Sequence, residues 1–258
     1  MTSSIRDFFD FAVEAAWAAG RRTLAWFQAD VAVERKHDAS PVTVADREAE
    51  LLLRDLIEAR YPDHGVVGEE FGTLRGAASH RWVLDPIDGT QSFIRGVPVY
   101  GVLVALEIER TPVVGVCHFP GLGETVAAAR GEGCWWNGRR ARTSTVARLD
   151  EALIAYTDAR GMEARLGQGW NGLLTRTRVQ RGWSDCYGHC LVATGRAEVM
   201  FDPRMNPWDC AALVPILLEA GGTFTDWRGA TRTDGGDAFS TNGPLFDAIL
   251  PMLGPAKD

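Results

Sequence analysis

The sequence lacks the features that mark several classes of protein. Its five cysteines include no Cys-x-x-Cys pair, so reduced thiols are expected rather than a disulfide framework. Cys186 and Cys190 have helical spacing and are more typical of packing residues than of zinc ligands. No apolar run reaches the roughly 18 residues of a membrane-spanning helix. Acidic residues interrupt the N-terminal apolar pattern, unlike a signal peptide. These absences predict a cytoplasmic protein.

An excess of positive charge is also missing. The chain has 27 Lys and Arg residues against 34 Asp and Glu residues, a formal net charge of −7, and a sequence pI of about 5.3. This balance argues against nucleic acid or an anionic membrane as the partner. A small anionic substrate stays compatible with it, because a bound metal ion can reverse the local charge.

The hydrophobic pattern predicts two halves, 1–144 and 145–258. The first half opens with two amphipathic helices, of which the first has Ser3 or Ser4 as its cap and the second ends before Pro62. A mostly antiparallel series of strands follows. These features indicate an α+β first half.

The second half alternates predicted strands and helices, which favours an α/β layer. Single helices are expected in this half at 163–174 and 207–220. In the first half, a polar loop is expected at 34–41. The chain has 258 residues, 46% of them hydrophobic, and contains no internal repeat or low-complexity segment. It is therefore long enough to bury a sizeable core.

Acidic side chains collect at three places where a strand ends or a helix begins. These positions point into the crevice where α/β proteins bind ligands. The residues are Glu69 and Glu70 in GEE, Asp85 and Asp88 in DPIDGT, and Asp209 in PWD.

The second of these segments has the chemistry of a metal and phosphate site. Pro86 stiffens the turn between Asp85 and Asp88, and hard divalent cations take carboxylate oxygens and carbonyls such as that of Ile87. Gly89 allows close backbone approach, and the amides of Gly89 and Thr90 would face an anion if a helix begins there.

Each acidic segment alone has an ordinary explanation. An acidic turn such as Asp85 to Asp88 is also common in solvated loops, and Asp209 alone is explained by the helix dipole. Together, however, these carboxylates form a group whose burial would be too unfavourable without a compensating cation.

These segments resemble the inositol monophosphatase family of lithium-sensitive, magnesium-dependent phosphatases. The resemblance covers about Ala12 to Gly222 and implies an α+β/α/β fold, a layered αβαβα sandwich of the inositol monophosphatase/fructose-1,6-bisphosphatase type. It also implies two or three Mg²⁺ ions and a homodimer. In chain order it rests on KHDASPVTVAD (Lys36 to Asp46), GEE (Gly68 to Glu70), DPIDGT (Asp85 to Thr90), and WD with EAGG (Trp208, Asp209, Glu219 to Gly222).

The resemblance implies a role for each matching residue. Glu69 and Thr90 would orient the attacking water, with Asp46 as support for that network or for an extra metal. Two-metal catalysis of this kind needs no covalent phospho-enzyme. The implied metal ligands are Glu69, Asp85, the Ile87 carbonyl, Asp88 and Asp209, and the implied phosphate-side contacts are Asp88, Gly89, Thr90 and Asp209.

A narrower resemblance, to the histidinol-phosphate phosphatases of this family, concerns the substrate. Asp185 and Asp202 would face the cationic amine and imidazole of histidinol phosphate, and Asn206 would hydrogen-bond the imidazole. Arg181 or Trp183 would shape the pocket. The segments that carry it are GTQSFIRGVP (Gly89 to Pro98), RGWSDCYGHCLVATGRAEVMFDP (Arg181 to Pro203) and MNPWDCAAL (Met205 to Leu213).

Other interpretations stay open at the level of sequence. Asp185 is also explained as a helix cap, Trp183 as a core residue, and His189 stands where this subgroup commonly has tyrosine. The alternative substrates are an inositol phosphate, fructose bisphosphate or a 3′-phosphonucleotide. A non-catalytic metal-binding scaffold is the alternative outside enzymes, but none of the implied ligands is missing.

Overall fold

A computed structural model describes residues 4–37, 40–183 and 185–253. Helix α1 (Ile5–Leu24) begins at a capping box, in which the Asp7 amide donates to Ser4 Oγ at 3.2 Å and the Ser4 amide donates to Asp7 Oδ2 at 2.7 Å. Ser4 is therefore the cap, whereas the alternative, Ser3, lies outside the described residues. Helix α2 (Val44–Arg60) ends before Pro62, as the sequence predicts.

A large sheet occupies the first half. All neighbouring strands in it are antiparallel except β3 and β5, which are parallel. In spatial order its eight strands are β10 (Arg139–Arg140), β9 (Gly133–Trp136), β8 (Glu124–Ala129), β7 (Thr111–Phe119), β6 (Gly101–Ile108), β5 (His80–Asp88), β3 (Gly65–Gly68) and β4 (Gly72–Leu74).

A smaller sheet occupies the second half. Strand β11 is parallel to β12 and β13, while β15 is antiparallel to β13 and β14. In spatial order its five strands are β12 (Val179–Arg181), β11 (Leu153–Tyr156), β13 (Val199–Asp202), β15 (Ala238–Thr241) and β14 (Thr223–Thr225).

Helices cover both sheets and lie between them. They are α3 (Thr90–Phe93), α4 (Ala159–Leu166), α5 (Gln168–Arg176), α6 (Asp185–Ala193), α7 (Pro207–Ala211), α8 (Leu213–Ala220) and α9 (Phe246–Ile249), with 3₁₀ turns at Leu149–Glu151 and Leu250–Met252. Helices α1 and α2 pack on one face of the large sheet, and α6 to α8 fill the space between the sheets. Helices α4, α5 and α9 cover the outer face of the small sheet.

The order of layers is therefore αβαβα, which confirms the predicted fold class. The central layer is apolar on both sides: Leu191 and Ile216 pack in one buried cluster with Leu103 of the large sheet and Met200 of the small sheet. Burial of each such side chain contributes about 1.5–3 kcal/mol. The two sheets thus share a core, and the division near Ser144 stays a prediction.

Several predicted elements are divided or altered in the structure. The helix expected at 163–174 is two helices that meet at Gly167, and the helix expected at 207–220 is interrupted at Ala212. Pro215 explains the second break, because its ring clashes with the carbonyl of the residue four positions earlier.

The first half also contains pairing that the sequence did not indicate. The polar loop expected at 34–41 includes a short antiparallel pair, β1 (Glu34–Arg35) and β2 (Pro41–Val42). Within the described residues, no helix is both long and apolar enough to cross a membrane.

Candidate active site

Three of the predicted metal ligands converge where strand β5 meets helix α7. Asp85 and Asp88 lie at the end of β5, and Asp209 lies in the first turn of α7. One carboxylate oxygen from each falls within 4.8 Å of the others. Among the described residues, this is the one group of three or more acidic, Cys or His side chains that meets this distance.

Burial and mutual repulsion disfavour the ionised forms of these carboxylates. Burial, followed by the charges of Glu69, Asp88 and Asp209, raises the pKa of Asp85 well above its usual range. Burial and the charges of Asp185 and Asp209 likewise raise the pKa of Asp88. The pKa of Asp209 rises to about 7, chiefly through burial. The group therefore requires protons or a compensating cation.

The turn that follows β5 is the segment that the sequence analysis predicts to bind phosphate. Gly89 has a φ of +81°, a conformation that favours glycine, and caps the short helix α3. The Thr90 hydroxyl donates to the Ile87 carbonyl at 3.1 Å. A Cβ atom on Gly89 would lie 2.9 Å from Asp185 Oδ2. Gly89 is thus the point at which the turn approaches the second half of the chain.

Glu69 and Glu70 share a lysine that the sequence analysis did not assign to the site. Lys36 Nζ lies 2.6 Å from an oxygen of each glutamate. Burial alone would lower the pKa of Lys36, but the hydrogen bonds to both glutamates raise it above its usual value. Burial, partly offset by Lys36, raises the pKa of Glu70 to about 7. Lys36 therefore balances two carboxylates beside the three-aspartate group.

Asp46 lies in the capping box of α2. Its Oδ2 atom accepts hydrogen bonds from the Thr43 amide at 2.8 Å and the Thr43 hydroxyl at 2.6 Å. Burial raises the pKa of Asp46 to about 6, and the charge of Glu69 adds to this effect. Asp46 is thus held firmly at the start of α2, within electrostatic reach of Glu69.

The predicted substrate residues Asp185 and Asp202 meet through Thr157. The Thr157 hydroxyl donates to Asp202 Oδ2 at 2.7 Å and accepts from the Asp185 amide at 3.2 Å. Burial, which outweighs the hydrogen bond from Thr157, raises the pKa of Asp202 to about 8. The next amide of α6, that of Cys186, donates to Asp88 Oδ2 at 2.6 Å. The start of α6 thus connects the second half to the three-aspartate group.

The remaining predicted contacts have less direct positions. Asn206 is exposed and caps α7, and its amides donate to Asp209 Oδ2 at 2.7 and 3.3 Å. Arg181 and Trp183 are exposed, so Trp183 is not a core residue.

His189 is fully buried, and its Nδ1 lies 2.9 Å from Ser240 Oγ. Burial lowers the pKa of His189 to about 3, so it is a neutral packing residue. Ser184, named with Asp185 in the resemblance, lies outside the described residues.

The donor set fits a hard divalent cation. The three-aspartate group offers only oxygen ligands, as Mg²⁺ prefers. Within the described residues, no Lys, Arg or His side chain forms an ion pair with Asp85, Asp88 or Asp209. A cation would therefore relieve the repulsion that raises the pKa values of these carboxyls.

The chain is similar to known proteins over most of its length. The sequence profile of the Inositol monophosphatase family matches residues 4–248. The chain belongs to the inositol monophosphatase family. It is 44% identical to a histidinol-phosphatase of Chlorobaculum parvum over 94% of this chain and 95% of the relative. It is 38% identical to a histidinol-phosphatase of Mycobacterium tuberculosis over 87% of this chain and 88% of the relative.

Solved structures of the family share the fold. The extragenic suppressor protein suhB from Bartonella henselae superposes with a TM-score of 0.88 at 28% identity, covering 95% of this chain and 97% of the other. Members of the inositol monophosphatase family depend on Mg²⁺, in agreement with the carboxylates assembled here.

Three groups that contact the candidate site residues were not identified from the sequence. Lys36 was noted only as part of a motif, and its ion pairs reach residues 33 and 34 positions away. Thr157 and the Cys186 amide had no sequence signal, because their partners lie 45 and 98 positions distant. Only the folded arrangement of the strands brings these groups together.

Proposed function

We propose that this chain is a Mg²⁺-dependent phosphate monoester hydrolase that acts on histidinol phosphate by two-metal activation of water. The observation that carries the proposal is the convergence of Asp85, Asp88 and Asp209 beside the Gly89 turn, with an oxygen of Asp185 2.9 Å from the position of a Cβ on Gly89. The similarity to two histidinol-phosphatases supports the choice of substrate.

In this proposal the metal ligands are those that the sequence implies. The carboxylates of Glu69, Asp85, Asp88 and Asp209 and the carbonyl of Ile87 would hold the ions. The chemistry that Mg²⁺ supplies when bound is activation of water and stabilisation of charge on the leaving oxygen.

The residues around the ions prepare the reaction. Glu69 and Thr90 would orient the attacking water, and Asp46 would support that network from the start of α2. The amides of Gly89 and Thr90 would bind phosphate oxygens. Lys36 holds Glu69 in place through its ion pair.

The second half would bind the leaving group. Asp185 and Asp202 supply negative charge for the ammonium and imidazole groups of histidinol phosphate, whereas inositol offers only hydroxyl groups. Asn206, exposed at the start of α7, would reach the imidazole. The homodimer implied by the family resemblance remains part of the proposal.

Phosphate release tests the proposed activity. Purified protein is incubated with histidinol phosphate in Mg²⁺, and a parallel sample contains excess EDTA. We expect sustained release with Mg²⁺ and loss of release with EDTA, restored when Mg²⁺ is added back. Release that is unaffected by EDTA would contradict the metal mechanism, and absence of release in Mg²⁺ would contradict the substrate.

A further inference from the structure

Thr157 occupies a junction between three elements of the second half. It follows β11 directly, and its amide donates to the Phe201 carbonyl of β13 at 3.3 Å. Its hydroxyl donates to Asp202 Oδ2 at 2.7 Å and accepts from the Asp185 amide at 3.2 Å. A single hydroxyl therefore fixes the end of β13 and the start of α6 relative to each other.

The start of α6 needs such a restraint. Asp185 has a φ of +57°, which is unfavourable for a residue with a Cβ although aspartate tolerates it better than most. The hydroxyl of Thr157 provides a partner for the Asp185 amide in this conformation. Strained backbone of this kind persists where surrounding contacts determine it, and it is common at functional sites.

The restraint reaches the phosphate-binding turn. Thr157 holds the Asp185 amide, whereas the next amide, from Cys186, donates to Asp88 Oδ2 at 2.6 Å, so the contact with Asp88 does not use the Thr157 hydroxyl. The Asp185 carboxylate lies 2.9 Å from the position of a Cβ on Gly89. A shift of Asp185 would therefore change the distance between its charge and a phosphate ester bound at Gly89.

We infer that Thr157 is a positioning residue that sets the preference for a phosphate ester with a cationic leaving group, by holding Asp185 and Asp202 in one arrangement. The inference rests on the proposed function and extends it to a residue outside the family motifs. A hydroxyl is required because the position needs one donor, for the Asp202 carboxylate, and one acceptor, for the Asp185 amide. Valine has the same shape as threonine but offers neither.

The test is a comparison of Thr157→Val, Thr157→Ser and the wild type on two esters in Mg²⁺. The first ester is histidinol phosphate, and the second is β-glycerophosphate, whose leaving group is neutral. For Thr157→Val we expect the KM for histidinol phosphate to rise about tenfold or more, since a hydrogen bond to a charged group is lost. The kcat/KM for β-glycerophosphate should change by less than about twofold, and Thr157→Ser should retain the preference of the wild type.

Binding of L-histidinol, measured by calorimetry, provides a readout that does not depend on turnover. Its Kd should rise with the KM in Thr157→Val and stay near the wild-type value in Thr157→Ser. Thr177→Val is the control, because the Thr177 hydroxyl likewise donates one hydrogen bond, to the Leu173 carbonyl, and accepts one, from Gln180 Nε2. It should leave both esters unaffected. If Thr157→Val does not fold, Thr157→Ala replaces it under the same criteria.

The outcomes separate the inference from the proposed function. An equal loss on both esters, or an unchanged KM for histidinol phosphate in Thr157→Val, would overturn the positioning role while the proposed function stands. A wild-type protein that hydrolyses β-glycerophosphate but not histidinol phosphate would overturn the proposed substrate and this inference together.

Discussion

The carboxylates around the Gly89 turn form two groups in different settings. On one side, which we call the metal side, are Asp85, Asp88 and Asp209, whose oxygens crowd within 4.8 Å of one another. On the other, the substrate side, are Asp185 and Asp202, which Thr157 connects. The metal side therefore needs a small ion of high charge, whereas on the substrate side Thr157 holds two carboxyl groups in one arrangement, and an organic cation bound there would favour their ionised forms.

This difference indicates that the two groups of carboxylates have different roles in the proposed reaction. Loss of a carboxylate on the metal side should affect every ester, because all esters share the phosphoryl group. Loss of one on the substrate side should affect mainly esters with a cationic leaving group, because the contact with the phosphoryl group is kept.

Asp88→Asn should abolish turnover of every ester. We expect kcat to fall by about 10³-fold, since metal-assisted charge stabilisation contributes several kcal/mol. Phosphate release from histidinol phosphate and from β-glycerophosphate measures the effect. Asp226→Asn is the control, because Asp226 is also buried but holds the Arg228 and Ala230 amides at 2.9 Å in a separate turn. An active Asp88→Asn variant would contradict the two-metal mechanism.

Gly89→Ala should impair both esters, because Gly89 lies between the two sides. Its new Cβ would lie 2.9 Å from Asp185 Oδ2, and its φ of +81° is unfavourable for alanine. We expect kcat/KM to fall by about 10²-fold through displacement of the turn. Gly123→Ala is the control for backbone strain alone. Gly123 also has a positive φ, of +63°, but nothing lies within 4 Å of its Cβ position, so the variant adds no contact. Equal activity of the two variants would contradict this account.

Asp185→Asn should show the selectivity of the substrate side. We expect the KM for histidinol phosphate to rise about tenfold, as one charge-assisted contact is lost. The kcat/KM for inositol 1-phosphate should change by less than about twofold. Steady-state kinetics on the two esters in Mg²⁺ measures the contrast. A parallel loss on both esters would place Asp185 with the metal side instead.

The stability of the metal-free protein should depend on pH in a defined direction. Burial raises the pKa of Asp46 to about 6, of Asp209 to about 7 and of Asp202 to about 8. Because these folded-state values exceed the unfolded ones, the stabilisation is complete below about pH 4 and is lost as the pH rises.

Thermal unfolding in EDTA and in Mg²⁺ measures this dependence. Mg²⁺ binds the ionised carboxylates, so the Tm difference between the two conditions should grow by roughly 5–10 °C from pH 5 to pH 8. Asp209→Asn should reduce the growth. A Tm difference that does not change with pH would show that these carboxyls do not become ionised when the metal binds.

The fold could be predicted from sequence where periodicity and turn residues agree. Strand β6 coincides with a nearly continuous apolar run, and the turn between β9 and β10 is formed by Asn137 and Gly138, a pair typical of tight hairpins. The prediction of a single helix over 207–220 was wrong. The apolar periodicity continues through this segment, but Pro215 interrupts the helix near Ala212.

The site could be predicted only in part, because local motifs do not reveal distant partners. Asp46 and Asp209 occupy the same position of a capping box, and each accepts from the amide of its cap residue. Asp209 lies in the three-aspartate group, whereas Asp46 does not. The difference between the two aspartates arises from the packing of α7 against β5, which no local sequence pattern reveals.

If the metal side hydrolyses phosphate esters while the substrate side selects a cationic leaving group, the wild-type protein should distinguish esters by their leaving group. The most direct test is kcat/KM of the wild-type protein for histidinol phosphate and inositol 1-phosphate, measured in the same Mg²⁺ buffer. We expect a preference of at least about tenfold for histidinol phosphate, because its leaving group is cationic. Equal or better turnover of inositol 1-phosphate would contradict it.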